Sequence, residues 1–199
     1  WFRQVGNTIY LATTDGRVAV FDETRNHISM IPMPEGVTKI NELKNTGYQL
    51  LIATNIGVVV YNPRTFKSEV VSVQNPNQPV AEVKKIYVDS KDQLWAFTDG
   101  MGVTIINPNT LEKKWLFADQ ENPALRTVCE KYFIMEDEHN TLWMIPNGGT
   151  FSYYDRAKKE LVPYVLQSNS QGNASIPRIN KYLISDQKIL WVTGIHDLT

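Results

Sequence analysis

The apolar residues of this chain come in short runs, not along a helical stripe. Leu50 to Ala53, Val58 to Tyr61, Leu94 to Phe97 and Val103 to Ile106 are such runs, and each is followed by Thr or Asn. Runs of this length between turn-forming residues predict buried strands. The segments Leu94-Trp95-Ala96-Phe97 and Val103-Thr104-Ile105-Ile106 are nearly continuous in apolar character. A strand of that kind needs cover on both of its faces. The segment after them mixes Glu112, Lys113 and Lys114 with Trp115 and Phe117, the pattern of an outer edge.

These runs recur. Trp95, Trp143 and Trp191 fall at one equivalent position, 48 residues apart each time. Two more divergent copies precede them, with Tyr10 and Leu51 in the tryptophan slot. Asp22, Asn62, Asn107 and Asp155 close the third run in the four complete copies. In the best copy the predicted strands are Lys85 to Val88, Gln93 to Thr98, Val103 to Asn107 and Lys113 to Phe117. Ser90-Lys91-Asp92, Asp99-Gly100-Met101-Gly102 and Asn107-Pro108-Asn109-Thr110 supply the turns. Four strands per repeat of this length predict the blade of a β-propeller.

The expected fold is all-β, an arc of about four and a half four-stranded antiparallel blades. The whole of residues 1–199 forms one propeller segment, with repeats near 6–36, 37–80, 81–120, 121–168 and 169–199. A cut through a larger propeller is favoured over a five-bladed ring in which residues before Gly6 complete the final blade. One segment conflicts with this pattern. Between Asn122 and Met135, Leu125, Val128, Cys129, Tyr132 and Phe133 stand at helix-like spacing. Register with the other copies favours a loop or short helical turn through Arg126, followed by a strand.

Composition narrows the function. Hydrophobic residues make up 42% of the chain, enough for a core, and the net charge is −1 with both signs interspersed. A nucleic-acid partner, which leaves a basic footprint, is not expected. No apolar run approaches the length that spans a bilayer, and no leader-like segment is present. The chain reads as a piece of a longer protein, with any targeting segment upstream. Cys129 is the lone cysteine, which excludes a disulfide framework and a cysteine-based zinc site within the chain. No nucleophile elbow, phosphate-binding loop, dinucleotide fingerprint or metalloprotease helix occurs. Neither a cofactor nor a metal is expected, nor catalysis by this segment.

The repeat resembles the two-component regulator propeller repeat. In the best copy the matching residues are Asp89, Leu94, Trp95, Thr98, Gly102, Val103, Asn107, Pro108 and Thr110. The next copy matches at Asp137, Leu142, Trp143, Gly149 and Asp155, and the last at Leu190, Trp191, Thr193 and Gly194. Asn122 to Arg126 also resembles the linker between blades of that family. The chain departs from the pattern at Ala96-Phe97 and at Met144-Ile145-Pro146, and the first two copies lack the tryptophan.

The resemblance implies the periplasmic sensor half of a hybrid two-component system of Bacteroidetes. Such proteins carry two propellers and a small β-sandwich outside the inner membrane. A transmembrane helix, a histidine kinase, a receiver and a DNA-binding module follow. The implied ligand is an oligosaccharide from glycan breakdown, and the implied output is transcription of carbohydrate-utilisation genes. Implied partners are the remaining blades and domains of the parent chain. Separately, the apolar blade faces that a cut propeller leaves exposed favour association, so a second copy in a homodimer is a candidate partner. This segment itself is expected to touch neither membrane nor nucleic acid.

Candidate ligand-binding residues lie in the turns after each second strand, which in a propeller ring the mouth of the channel. These are Asp99, Asn147, His196 and Asp197, with Thr14-Asp15 and Asn55 in the equivalent turns of the first two copies. Their amides and carboxylates suit sugar hydroxyls, although tight turns select the same residue types. Trp95, Trp143 and Trp191 sit mid-strand beside leucine and are expected to pack between blades. His27 and His139 are expected to be solvated. Two other functions compete: a protein-interaction scaffold of the WD40 type, and a propeller lyase or glycosidase using Asp99 and Asp197.

Overall fold

The computed structural model describes residues 2–74, 80–98, 102–107, 110, 112–116, 133–145, 152–163, 179–184 and 190–194. Blade 1 consists of β1 (Phe2–Val5), β2 (Thr8–Ala12), β3 (Val18–Asp22) and β4 (His27–Met30). Blade 2 consists of β5 (Ile40–Asn45), β6 (Leu50–Thr54), β7 (Gly57–Asn62) and β8 (Lys67–Val71). Blade 3 consists of β9 (Val83–Val88), β10 (Leu94–Thr98), β11 (Val103–Ile106) and β12 (Lys113–Leu116). Blade 4 consists of β13 (Phe133–Glu136), β14 (Leu142–Ile145), β15 (Ser152–Asp155) and β16 (Glu160–Pro163). A final pair, β17 (Ile179–Ile184) and β18 (Leu190–Gly194), completes the described strands.

Each blade is an antiparallel meander in which neighbours in sequence are neighbours in the sheet. In blade 3, Trp95 stands opposite Tyr87 on one side and Ile105 on the other. The strands β1, β5 and β9 approach one another and are therefore innermost. The outer strand β4 is exposed along its whole length.

The near-continuous apolar runs follow from this stacking. Successive residues of a strand point to opposite faces, and in the second strand of a blade both faces are covered. Leu50 and Ile52 of β6 join Tyr10 and Val18 of blade 1, while Leu51 and Ala53 join Ile86 and Leu94 of blade 3. In β10, Leu94 and Ala96 face back to blade 2, whereas Trp95 and Phe97 join Leu142, Met144 and Tyr154 of blade 4. All five residues of β6 and of β10 are buried.

Three side-chain devices recur at fixed places in the blades. A carboxylate or amide ends the third strand and accepts from the backbone beyond it. Asp22 accepts from Thr24 and Arg25, Asn62 from Arg64 and Thr65, and Asp155 from Ala157 and Lys158. Four residues after each, Asn26, Phe66 and Lys159 take left-handed φ of 48°, 56° and 57°. A threonine ends the second strand and closes the next turn: Thr54 and Thr98 each donate a hydroxyl to a glycine carbonyl, Gly57 and Gly102, at 2.8 Å. The third device, an aspartate before the second strand, belongs to the tryptophans and is described with the site.

The structure places residues before Gly6 differently from the closed-ring alternative. Phe2–Val5 is β1 and pairs with β2 of its own blade, so it does not complete a final one. The strand expected from register at the end of the helix-like segment is present as β13. Residues 117–132, including Cys129, lie outside the described residues. One face of blade 1 is bare, with Phe2, Leu11, Ile28 and Met30 exposed by 73%, 42%, 63% and 50%.

Candidate functional site

In blades 1 and 2 the turn after the second strand meets the connection between those two blades, at one end of the arc. Asn55, in the turn between β6 and β7, shows this. Its Oδ1 accepts from the backbone N–H groups of Thr38 (2.9 Å) and Lys39 (3.1 Å), and its Nδ2 donates to Gly36 O at 2.9 Å. Gly16, in the corresponding turn of blade 1, lies against the same connection. A Cβ built on it would stand 2.8 Å from Thr38 C and 2.9 Å from Val37 O.

The turn residues proposed from sequence fare unequally. Asp99, Asn147, His196 and Asp197 lie outside the described residues. Asn55 has its side-chain amide engaged by the blade connection, so it holds the fold. Asp15 accepts from the Thr13 hydroxyl and from Arg17 Nε at 2.7 Å. These bonds hold its carboxyl below the usual range, chiefly the one from Arg17. His27 and His139 are exposed.

Sequence reasoning missed a polar cluster at this same end, at the start of the innermost strands. Glu82 Oε1 accepts from Lys39 Nζ at 2.7 Å, Asn41 Nδ2 at 2.9 Å and Lys84 Nζ at 3.0 Å. Burial works against the Glu82 anion, yet these three donors outweigh it and hold the carboxyl at about 2 against an ordinary 4.5. Asn41 Nδ2 also donates to Val83 O at 2.7 Å. Further along, Glu42 Oε2 accepts from the Ile86 amide of the next blade at 2.7 Å. Burial pulls Lys85 and Lys44 below the ordinary lysine range. Glu42 opposes this at both, while Arg3 and Lys85 add to it at Lys44. The inner strands thus carry hydrogen-bonding groups of both charges, suited to a polar, many-hydroxyl ligand. The available signal was the pair of adjacent polar residues inside each otherwise apolar first strand, Asn41-Glu42 and Lys84-Lys85.

The tryptophans are anchored to the turn aspartates. Asp89 Oδ1 accepts from the Lys91 and Gln93 amides, both at 2.9 Å, and its Oδ2 accepts from Trp95 Nε1 at 3.0 Å. Asp137 repeats this with His139, Thr141 and Trp143 at 2.9, 2.9 and 2.8 Å. At Asp137 burial favours the neutral acid, but those donors prevail and lower its pKa. Asp92 and Asn140 take the same left-handed position in the two turns, at φ 59° and 60°. Asn45, in the equivalent place of blade 2, keeps one part of the device by accepting from Gly47 N. Trp95 is fully buried and meets Tyr154 edge-to-face at 4.9 Å between centroids. It packs between blades and offers no stacking face to a sugar. Trp191 is on β18, and its side chain is not among those described.

Asp89 also joins blade 3 to blade 4. Arg156 NH1 donates to Asp89 Oδ2 at 2.9 Å and its NH2 donates to Glu136 Oε1 at 2.7 Å. Glu136 in turn accepts from the Ser90 amide and hydroxyl, both at 2.7 Å. Among the described residues no cluster of His, Cys, Asp and Glu could hold a metal. No helix among them is long and apolar enough to cross a membrane.

No family model matches the chain, and no curated protein matches its sequence. Solved structures do match in fold. The extracellular domain of BT4673, a proposed one component system of B. thetaiotaomicron, is similar over 97% of this chain, at 15% identity and a TM-score of 0.69. That of BT3049, a proposed hybrid two component system of the same organism, is similar over 96% at 15% identity and a TM-score of 0.64. The fold is that of β-propeller blades. The chain spans about 25% of each of those two domains. PorZ, a surface component of the type-IX secretion system of Porphyromonas gingivalis, is similar over 98% at 14% identity and a TM-score of 0.59.

Proposed function

We propose that the chain is part of the extracytoplasmic ligand-sensing propeller of a hybrid two-component signalling protein. Its ligand is an oligosaccharide derived from glycan breakdown, and its output is control of carbohydrate-utilisation genes. The observation that carries this reading is the repeat itself. The Asp…Leu-Trp…Thr…Gly pattern that resembles the two-component regulator repeat is, in space, a set of turn and strand clamps on propeller blades. The fold likeness to extracellular domains of proposed one- and two-component systems supports it. The bare apolar face of blade 1 supports a larger ring in which another blade covers Phe2, Ile28 and Met30.

In this reading the blades are a rigid frame, and the ligand meets the end where Asn55, Lys39 and Glu82 stand. Signalling follows from a shift in how the propeller packs against the rest of the parent protein. The segment carries no catalytic role. The test is calorimetry of the intact protein against a panel of neutral and acidic oligosaccharides, with a turnover assay on the same panel. Saturable binding without product formation supports the reading. Product release, or a stable protein partner together with no saccharide binding, refutes it in favour of an enzyme or a scaffold.

A further inference from the structure

The opposite end of the arc holds a second concave surface. It lies between blades 3 and 4, where the turn after β9, the strand β12 and the turn after β15 come together. The cavity there measures about 800 Å3, a size at which small-molecule ligands are enclosed. Lys91, Lys113, Lys114, Lys159 and Arg156 line it, against one carboxylate, Glu112. The whole chain carries 20 basic and 21 acidic side chains, so this concentration of cations is local. We infer that this groove is a binding site for an acidic saccharide, one bearing several carboxylate or sulfate groups.

The state of the cations carries the inference. Arg156 is held at the floor by Asp89 and Glu136. Its Nε is buried and has no acceptor among the described residues. No carboxylate among the described residues lies within ion-pair distance of Lys91, Lys113, Lys114 or Lys159. The Lys114 ammonium stands 5.8 Å from the centre of the Tyr154 ring. Burial and the neighbouring Lys159 hold Lys114 below its ordinary range, with Glu160 opposing them. Like charges gathered in a partly enclosed space repel one another, and an anion placed among them relieves that repulsion.

The choice of a saccharide rests on the proposed sensing function, while the choice of an acidic one rests on the groove. The site is distinct from the end where Asn55 and Glu82 lie, because the β9–β10 turn and the β10–β11 turn are at opposite ends of a blade. The test is calorimetry of the full chain with four probes: a tetragalacturonate, a sulfated tetrasaccharide, a neutral cellotetraose and tripolyphosphate. At least one acidic saccharide should bind more tightly than the neutral one. The double substitution Lys91→Glu with Lys113→Glu should weaken that binding by roughly tenfold or more. Lys67→Glu, on the exposed strand β8, should leave it unchanged, and the melting temperatures of all three proteins should agree. Binding of the neutral sugar alone, indifferent to the double substitution, overturns the groove assignment and leaves the sensing function standing. Absence of binding by any saccharide overturns both. Tripolyphosphate binding as tight as the acidic sugars, and equally sensitive to the double substitution, overturns the saccharide class.

Discussion

Replacing Asp89 with Asn tests whether the turn aspartate, more than the bulk of the indole, fixes the contact between blades 3 and 4. Asn is nearly isosteric and can still accept from the Lys91 and Gln93 amides through its one oxygen. Its Nδ2 then faces two donors, Trp95 Nε1 and Arg156 NH1, which Asp89 Oδ2 accepts at 3.0 and 2.9 Å. Flipping the amide gives no relief, because the NH2 group then meets the two backbone N–H groups. Trp95 is 0% exposed, so its stranded indole N–H costs about 1–3 kcal/mol. Arg156 loses one of two carboxylates. A fully buried broken pair would cost about 3–5 kcal/mol, but the Arg156 side chain is 22% exposed and keeps Glu136, so about 1–2 kcal/mol is expected. The total is about 3 kcal/mol, or a fall in melting temperature of roughly 6–12 °C for a chain of this size.

Asp137→Asn offers the comparison, because it has the same three donors and no arginine among its partners. It should cost about 1–2 kcal/mol. Denaturant unfolding of Asp89→Asn, Trp95→Phe and the double variant closes a thermodynamic cycle. A coupling of about 1 kcal/mol or more is expected between residues in direct contact. Additive effects, or equal losses at Asp89 and Asp137, would refute the reasoning.

Two further outcomes follow from the inner strands and the blade connections. The Glu82 carboxyl is held at about 2 against 4.5. A depressed pKa stabilises fully above the unfolded value and is lost as pH falls through the folded one. Part of the folding free energy, about 2 kcal/mol after allowance for the exposed Lys39, should therefore vanish between about pH 4.5 and pH 2, and acid titration of Glu82→Gln should lack that component. Gly16→Ala should destabilise by at least about 2 kcal/mol, since φ is +80° and the new methyl meets the backbone of Val37 and Thr38. Gly6→Ala, at φ +57° with nothing within 4 Å, should cost about 1 kcal/mol; thermal melts that rank them the other way would contradict the close approach.

The sequence by itself determined the blade. Its apolar runs, their doubled burial and the turn residues at fixed offsets are local facts. They predict four short antiparallel strands per repeat because a strand's side-chain period and a turn's φ requirements act over a few residues. The expected limits of β10 and β12 agree with the structure to within a residue or so, and β13 stands where register put it despite the helix-like spacing before it. Trp95 lies between blades because no other arrangement covers both faces of Leu94 to Phe97.

Tertiary structure alone decided what the polar side chains do. Asn55 looked like a channel-mouth ligand and is a brace for the blade connection, because its amide meets backbone 16 to 19 residues away. Asp89 stood out in the sequence only as a match to the repeat pattern, and in space it is the acceptor for an indole and for an arginine 67 residues on. Glu82 gathers Lys39 and Asn41 from the previous blade, and Arg156 gathers acids from blades 3 and 4. Such groups become partners only when the blades stack. Apolar periodicity reports how a blade folds, whereas the assembly of charges between blades depends on distances that no local pattern encodes.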